Sequence, residues 1–375
     1  MNSPFRQEEV SDARIMVVGC GALGNEVLKN LVLLGARHLV VVDFDRVEND
    51  NLSRSVLFTK DDAEAGRYKV EAVAERLRQM APETEVTPIC GDIAYDVGLG
   101  LIRRMNVLIG CVDNRWARYC INRHAMRAGI PWVDGGIDTL EGTARVFRPG
   151  ENCYACSLGP EGLRDMARRM SCAGMIRRNI EAGKTPTTSI AASIIGAVEV
   201  QEAMKLLHPQ EMQQGELTSL CGKMFYYEGQ HLTTRLVGFK AYDDDCAVHD
   251  RWEPVRQLPL TVEMTVEDTL RVMQTCLQAR QVNVSLTDDC FVDYVVRRDN
   301  DHRYEVMLPG RQVAAYIEQD VELRGIPFSG MYQHEWRDVD AAFPYPWLTL
   351  ASLGVPRQAV LNVTTEQGAY YVEIE

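Results

Sequence analysis

The sequence predicts an α/β fold: a sheet with intervening helices over residues 1–255, and a smaller α+β extension over 256–375. Three observations predict it. An apolar run, Arg14–Val18, passes through Gly19-Cys20-Gly21-Ala22-Leu23-Gly24 into a helical pattern reaching about Leu34. A second run, His38–Val42, ends on Asp43, 19 residues after Gly24, and a third, Val107–Cys111, ends on Val112-Asp113-Asn114 ahead of another helical pattern. Short apolar runs alternating with helical segments are the signature of an open α/β sheet.

The turn after the first run carries the first chemistry. Glycines at 19 and 21 let the backbone approach a phosphate, and the helix that follows offers unpaired N–H groups and a partial positive charge. Asp43, at the end of the next strand, can accept two ribose hydroxyls. Strand, turn, helix, strand and acid in this order specify an adenine nucleotide, and a nicotinamide-dependent oxidoreductase is the default reading. The residues after Asp43 argue against it. Asp45, Glu48, Asn51 and Arg54 crowd a polar segment just beyond a strand end, where an open α/β sheet places its ligands. A nicotinamide cofactor needs no arginine aimed at a reacting phosphate, whereas splitting the α–β bond of ATP does. Lys69, in an apparent helix from Ala63 to Met80, supplies a second cation, so that Arg54 and Lys69 together would neutralise charge growing on departing pyrophosphate. Asp113 can hold Mg²⁺, which prefers one or two carboxylates plus phosphate oxygens. The competing role for Asp113 is an N-cap for the helix beginning at Asn114.

The blocks GCGALG at 19–24, DFDRVENDNLSR at 43–54, DNRWARYCIN at 113–122 and GIPWVDGGIDTLEG at 129–142 together resemble the ubiquitin-activating superfamily, the ThiF/MoeB-like adenylyltransferases, across roughly residues 12–255. The resemblance implies a Rossmann-like nucleotide-binding fold of that type. It implies that Asp43 holds the ribose, that Asn51, Arg54 and Lys69 contact the triphosphate, and that Asp113 coordinates Mg²⁺; Gly19, Gly21, Ala22, Leu23, Gly24 and Asp45 complete the expected nucleotide-binding set. It gives Arg118 a structural role and makes Arg6 a candidate to reach the ATP of a partner subunit. It implies adenylation of the C-terminal carboxylate of a β-grasp, ubiquitin-like protein. Ala22 stands where the family commonly has a second glycine.

The eleven cysteines, with no signal peptide at the N-terminus, read as intracellular thiols of a cytoplasmic protein. Cys20, Cys90, Cys111, Cys276 and Cys290 read as core or passive thiols. Cys153-x-x-Cys156 and Cys246-x-x-His249, two short spacings at separated places, suit a structural Zn²⁺ of Cys₃His type. A redox pair would normally open a helix, and Ser157-Leu158-Gly159-Pro160 is a poor helix start. Cys172, near arginines 168, 169, 177 and 178, is the candidate nucleophile, because positive neighbours favour thiolate; Cys221 is its rival. The ubiquitin-activating branch carries its thioester cysteine in this crossover region, here only 157–187, so the resemblance implies a homodimer of the bacterial type. Transfer from Cys172 to a conjugating enzyme is the expected continuation, with a role in bacterial antiviral defence. Without that cysteine the enzyme stops at the acyl-adenylate, as a sulfur-carrier adenylyltransferase of ThiF or MoeB type would.

Elsewhere the chain is quieter. The apolar run Ile190–Val198 is too short for a membrane span, and the helix around it, about Thr188–Leu207, reads as sheet-packing or dimer-facing. Residues 217–240 read as a hairpin, which in the family flanks the substrate's docking surface. In the extension, Val266–Ala279 reads as a helix, Cys290–Arg298 and Arg303–Leu308 as strands, the last residues as a hairpin, and 325–357 mostly as loop. Glu318, Asp320, Glu322 and the aromatics Tyr332, Trp336, Phe343, Tyr345 and Trp347 form either core or the rim of a surface that recruits a partner. A formal net charge of −13 argues against nucleic acid as a partner and suits one with a basic face.

Overall fold

The computed structural model describes residues 5–169, 187–239, 242–286, 289–297, 303–313, 316 and 330–375. They form two compact units, one of 5–94, 102–163 and 187–251, the other of 95–101, 164–169 and the described part of 252–375.

The first unit runs α1 (Gln7–Asp12), β1 (Arg14–Val18), α2 (Ala22–Leu33), β2 (His38–Val42), α3 (Lys60–Glu64), α4 (Lys69–Met80), β3 (Glu85–Ile89), β4 (Val107–Gly110), α5 (Arg115–Ala128), β5 (Trp132–Asp138) and β6 (Glu141–Phe147). It continues with α6 (Tyr154–Arg169), whose residues 164–169 are counted with the other unit, then α7 (Ser189–Leu206), β7 (Lys223–Glu228) and β8 (Thr233–Gly238). Its strands make one eight-stranded sheet in the order β3-β2-β1-β4-β5-β6-β7-β8. The first five are parallel and the last three pairings antiparallel. The parallel centre is buried on both faces, which is why β1, β2 and β4 read as near-continuous apolar runs. Leu28, Leu31, Val41, Leu77, Ile109 and Val133 form the middle of its core.

The chain steps outward from β1 to β2 and β3, then returns to the other side of β1 as β4. That reversal opens a crevice at the C-terminal ends of β1 and β4, the place where open α/β sheets bind ligands.

The structure corrects several expectations. β3 is a strand that the apolar-run reading missed, because it is an edge strand with Val86 buried and Pro88 within it. The single helix expected from Ala63 to Met80 is two. Thr59 and Asp62 cap α3 reciprocally, Gly66 turns the chain at φ +59°, and α4 starts afresh with Lys69 as its first residue. The Cys153-x-x-Cys156 segment does open a helix, α6, broken at Gly159 (φ +66°). Asn114 caps α5, its side chain accepting from Ala117 N at 2.8 Å, so Asp113 is not the cap. Of the thiols expected to be passive, Cys20, Cys111 and Cys290 are buried, whereas Cys90 and Cys276 are exposed.

The second unit contains β9 (Val255–Gln257), α8 (Val266–Leu277), β10 (Val282–Ser285), β11 (Phe291–Arg297), β12 (Arg303–Pro309), β13 (Gly330–Trp336), β14 (Asp338–Val339), β15 (Val360–Thr365) and β16 (Gly368–Glu373). They pair as β14-β10-β15-β16-β9 and β12-β11-β13. β13 and β14 lie where loop was expected. The prolines at 344, 346 and 356 follow those strands and leave them uninterrupted. Phe291, Trp336, Phe343 and Tyr345 pack edge to face with centroids 5.6–6.0 Å apart, which makes them core, while Trp347 is 63% exposed. Glu318, Asp320, Glu322 and the side chain of Tyr332 lie outside the described residues. No helix of the described residues is long and apolar enough to cross a membrane.

Candidate functional site

The glycine loop at the crevice is held by contacts that only glycine permits. Gly19 sits at φ +96°, and a Cβ there would lie 2.5 Å from the Cys111 carbonyl oxygen; a Cβ on Gly24 would lie 1.9 Å from the Gly19 carbonyl oxygen. These two close the turn against β4 and α2. Gly21 is different, because a Cβ there would meet nothing within 4 Å. Gly21 is also the N-cap of α2 and no side chain caps that helix, so its first N–H groups have no capping acceptor from a side chain and the helix dipole lies behind them.

Asp43 closes the loop from the other side. Its Oδ2 accepts from Cys20 N at 2.7 Å and its Oδ1 from Asp45 N at 2.8 Å. Burial raises its pKa, with the neighbouring Lys69 charge and the two backbone N–H groups pulling the other way. Lys69 is 9% exposed, and its Nζ donates to Asp45 Oδ2 at 2.7 Å. Burial works against its charge, but Asp43 and Asp45 outweigh burial and raise its pKa, so the ammonium is firmly protonated at neutral pH.

Lys69, Asp45, Asp43 and Cys20 are therefore directly joined. The other candidates are not part of that network. Arg54 folds back on its own turn, Nη1 donating to the Asp50 carbonyl at 2.8 Å. The Asn51 side chain accepts from Glu48 N at 2.9 Å, inside a reciprocal cap. Asp113 is exposed just past the end of β4 and accepts from Asn114 Nδ2 at 3.2 Å. Arg6 pairs with Glu9 at 3.1 Å and Glu211 at 3.0 Å within its own chain.

Residues that the sequence did not single out hold this framework. Asn25, fully buried on α2, donates to the carbonyls of Cys20 (2.8 Å) and Gly21 (3.1 Å) and accepts from Leu57 N at 2.7 Å, tying the glycine loop to the segment that carries Arg54. An amide on the buried side of an apolar helix was the available signal. Asp134, also fully buried, is gripped by Arg118 (Nε, 2.9 Å) and by Arg145, and Arg118 Nη2 donates to the Val112 carbonyl at 2.7 Å, just before Asp113. Glu199 on α7 is buried against Gly135, where a Cβ would lie 2.4–2.5 Å from its carboxyl atoms; burial and then Asp134 push its pKa well up.

Cys172 lies outside the described residues. Its rival Cys221 is a poor nucleophile: burial, together with a hydrogen bond from Sγ to Glu151 Oε2 at 2.6 Å, pushes its pKa up to about 12.

A second constellation gathers residues far apart in the chain. The donor atoms of Cys153, Cys156, Cys246 and His249 all lie within 4.8 Å of one another. Cys153 Sγ is 3.6 Å from Cys156 Sγ and 3.8 Å from Cys246 Sγ, and Cys156 Sγ is 3.2 Å from His249 Nε2. Thiolates at about 2.3 Å around a tetrahedral zinc stand about 3.8 Å apart, so the spacing fits such an ion. Burial lowers the pKa of His249, which favours the neutral, ligand-competent imidazole. The helical start of α6 removes the sequence argument against a redox pair; the convergence of Cys246 and His249 on the same two thiols is what favours a metal-ligating set.

The ThiF family model matches residues 3–248. The chain is 31% identical over 245 residues to the SAMP-activating enzyme E1 of Haloferax volcanii, covering 65% of this chain and 83% of that protein. It is 32% identical over 203 residues to the molybdopterin-synthase adenylyltransferase of Salmonella typhimurium, covering 54% of this chain and 75% of that protein. A crystal structure of E. coli MccB with succinimide superposes with a TM-score of 0.52 at 21% identity, covering 65% of this chain and 68% of that one, a likeness of fold.

Proposed function

This chain belongs to the ThiF family, and from that premise we propose that it is an ATP-dependent adenylyltransferase acting on the C-terminal carboxylate of a small protein or peptide. The observation that carries the reading is the Lys69 ammonium, buried between Asp43 and Asp45 beside an uncapped helix N-terminus. The names of both curated relatives, an activating enzyme and an adenylyltransferase, support the same chemistry.

In this mechanism the triphosphate lies over Gly21 against the N-terminus of α2, which no side chain caps, with the ribose toward Asp43. Backbone donors already hold both Asp43 oxygens, and each keeps a lone pair for a ribose hydroxyl. One oxygen of the incoming carboxylate attacks the α-phosphorus. The new P–O bond forms as the α–β bond breaks, giving an acyl-adenylate and pyrophosphate. Lys69 neutralises charge on the departing pyrophosphate, and Arg54 joins it once its guanidinium leaves the Asp50 carbonyl. Mg²⁺, which the exposed Asp113 carboxylate would hold through the oxygen that Asn114 does not engage, would offset phosphate charge.

The test is exchange of labelled pyrophosphate into ATP, driven by a carrier protein with a free C-terminus. Exchange with the carrier and none after its C-terminus is amidated is expected; exchange indifferent to that carboxylate would end the reading. A nicotinamide oxidoreductase, by contrast, would bind NAD and show no exchange.

A second reading carries the reaction further and is favoured by the likeness to an enzyme named as an E1. Here a ubiquitin-like protein is passed from the adenylate to Cys172 as a thioester and then to a conjugating enzyme, within a homodimer and with the second unit recruiting the partner. A dithiothreitol-sensitive adduct lost in Cys172→Ala is the expected mark of this route. Full exchange without any adduct leaves the enzyme at the adenylate.

A further inference from the structure

Three of the four donors in the Cys₃His cluster are set by their surroundings. Cys153 and Cys156 are buried at the start of α6, where Tyr154 N donates to Asn122 Oδ1 at 3.0 Å, and Cys246 N donates to the Asp243 carbonyl at 3.1 Å. His249 is set differently. Its Nε2 faces Cys156, but its Nδ1 is buried and has no hydrogen-bond partner among the described residues. An imidazole that binds a metal ordinarily donates its second N–H to an acceptor, which fixes its tautomer and its rotation about χ2. That anchor is missing here.

What touches the ring instead is Tyr242. The two rings stack with centroids 4.3 Å apart and planes 24° from parallel. Tyr242 is 43% exposed, so it does not serve the core. His249 N donates to the Cys246 carbonyl at 3.3 Å, and the loop between the two aromatics carries Asp243, Asp244 and Asp245. Stacking therefore closes a short acidic loop at its two ends and leaves Nε2 pointing at the thiols.

We propose that Tyr242 is the positioning residue of a zinc centre formed by Cys153, Cys156, Cys246 and His249, holding His249 by ring stacking where a hydrogen bond to Nδ1 would otherwise do so. The inference rests on the metal reading of the cluster. A ring held by one face can swing away with fewer contacts broken than a ring held by a hydrogen bond as well, so zinc leaves faster once the stack is removed.

The experiment follows zinc release from the full-length protein to a chromogenic chelator, with circular dichroism as the check on folding. Tyr242→Leu is expected to release zinc about tenfold faster than wild type, the low end of what outer-shell partners contribute. Tyr242→Phe, which keeps the ring, releases at the wild-type rate. In a His249→Cys background, Tyr242→Leu changes nothing, because the ring it steadies is gone. An unaltered rate in Tyr242→Leu overturns the proposal, as does equal acceleration with and without His249. Wild-type protein that takes up no zinc, or that carries a Cys153–Cys156 disulfide, overturns the metal reading itself and is recognised before any variant is made.

Discussion

Two places in the first unit concentrate polar chemistry, and they do so in opposite ways. At the glycine loop the groups are charged, partly open and joined to one another: Lys69 is buried, yet its partner Asp45 is exposed, and the Gly21 backbone faces free space. At the cysteine cluster four donor atoms converge within 4.8 Å of one another, two of them on buried and two on half-buried residues. The first arrangement suits a charged substrate that must arrive and leave. The second suits an ion that stays, because a full set of four protein donors leaves no position for a reacting molecule. The difference teaches that openness, more than residue type, separates a site for turnover from a site for support.

The largest effect should come from breaking the open site at its cation. Lys69→Met is expected to lower the rate of ATP–pyrophosphate exchange about 10²–10³-fold while leaving zinc content unchanged. Near-normal exchange would mean that the buried ammonium serves only packing. Cys156→Ser reverses the pattern: we expect zinc to be lost and the melting temperature to fall by about 5–10 °C, roughly 2–3 kcal/mol in a domain of this size. Exchange measured below that temperature should persist, and its abolition in folded protein would place the cluster in the reaction.

Two glycines sharpen the contrast within the open site. Gly24→Ala drives a Cβ into the Gly19 carbonyl and should destabilise the fold by about 3 kcal/mol or more, whereas Gly21→Ala should melt like wild type yet bind ATP more weakly. Equal melting temperatures for the two variants would contradict the close approach. The Lys69 pairing also sets a pH window. Because the folded state raises its pKa above the ordinary lysine value of 10.5, its contribution to stability is fully present below 10.5 and is lost as pH rises through the raised value. Denaturation midpoints of wild type and Lys69→Met, compared across pH 7–12, should therefore converge only at the alkaline end. The smallest effect concerns Cys221. With its pKa at about 12, only about one molecule in 10⁴ is thiolate at pH 8, so alkylation there should be slow and should accelerate with each step in pH. Fast labelling of Cys221 at pH 8 would show that Glu151 does not hold it.

Local pattern carried much of the fold. The strand–turn–helix of residues 14–33 and the apolar runs of β2 and β4 are legible because a buried parallel strand needs apolar residues throughout. Edge strand β3 hid because it has little buried surface to advertise, and α3 and α4 merged because Gly66 was the only mark of the break. Asp113 and Asn114 could each have capped α5, and side-chain direction decided for Asn114.

The sequence by itself determined the glycine turn, the acid after β2, the paired short spacings of cysteine and histidine, and the family resemblance that these blocks carry. All of these are relations between residues close in the chain, where stereochemistry and periodicity act directly. Only tertiary structure decided that Asn25 ties Leu57 to the glycine loop, that Lys69 chooses Asp45, that Arg118 reaches from Asp134 to the Val112 carbonyl, and that Cys153 meets Cys246 across 93 positions. Those partners are selected by how helices and strands pack, and a buried polar group takes whichever partner that packing brings within reach.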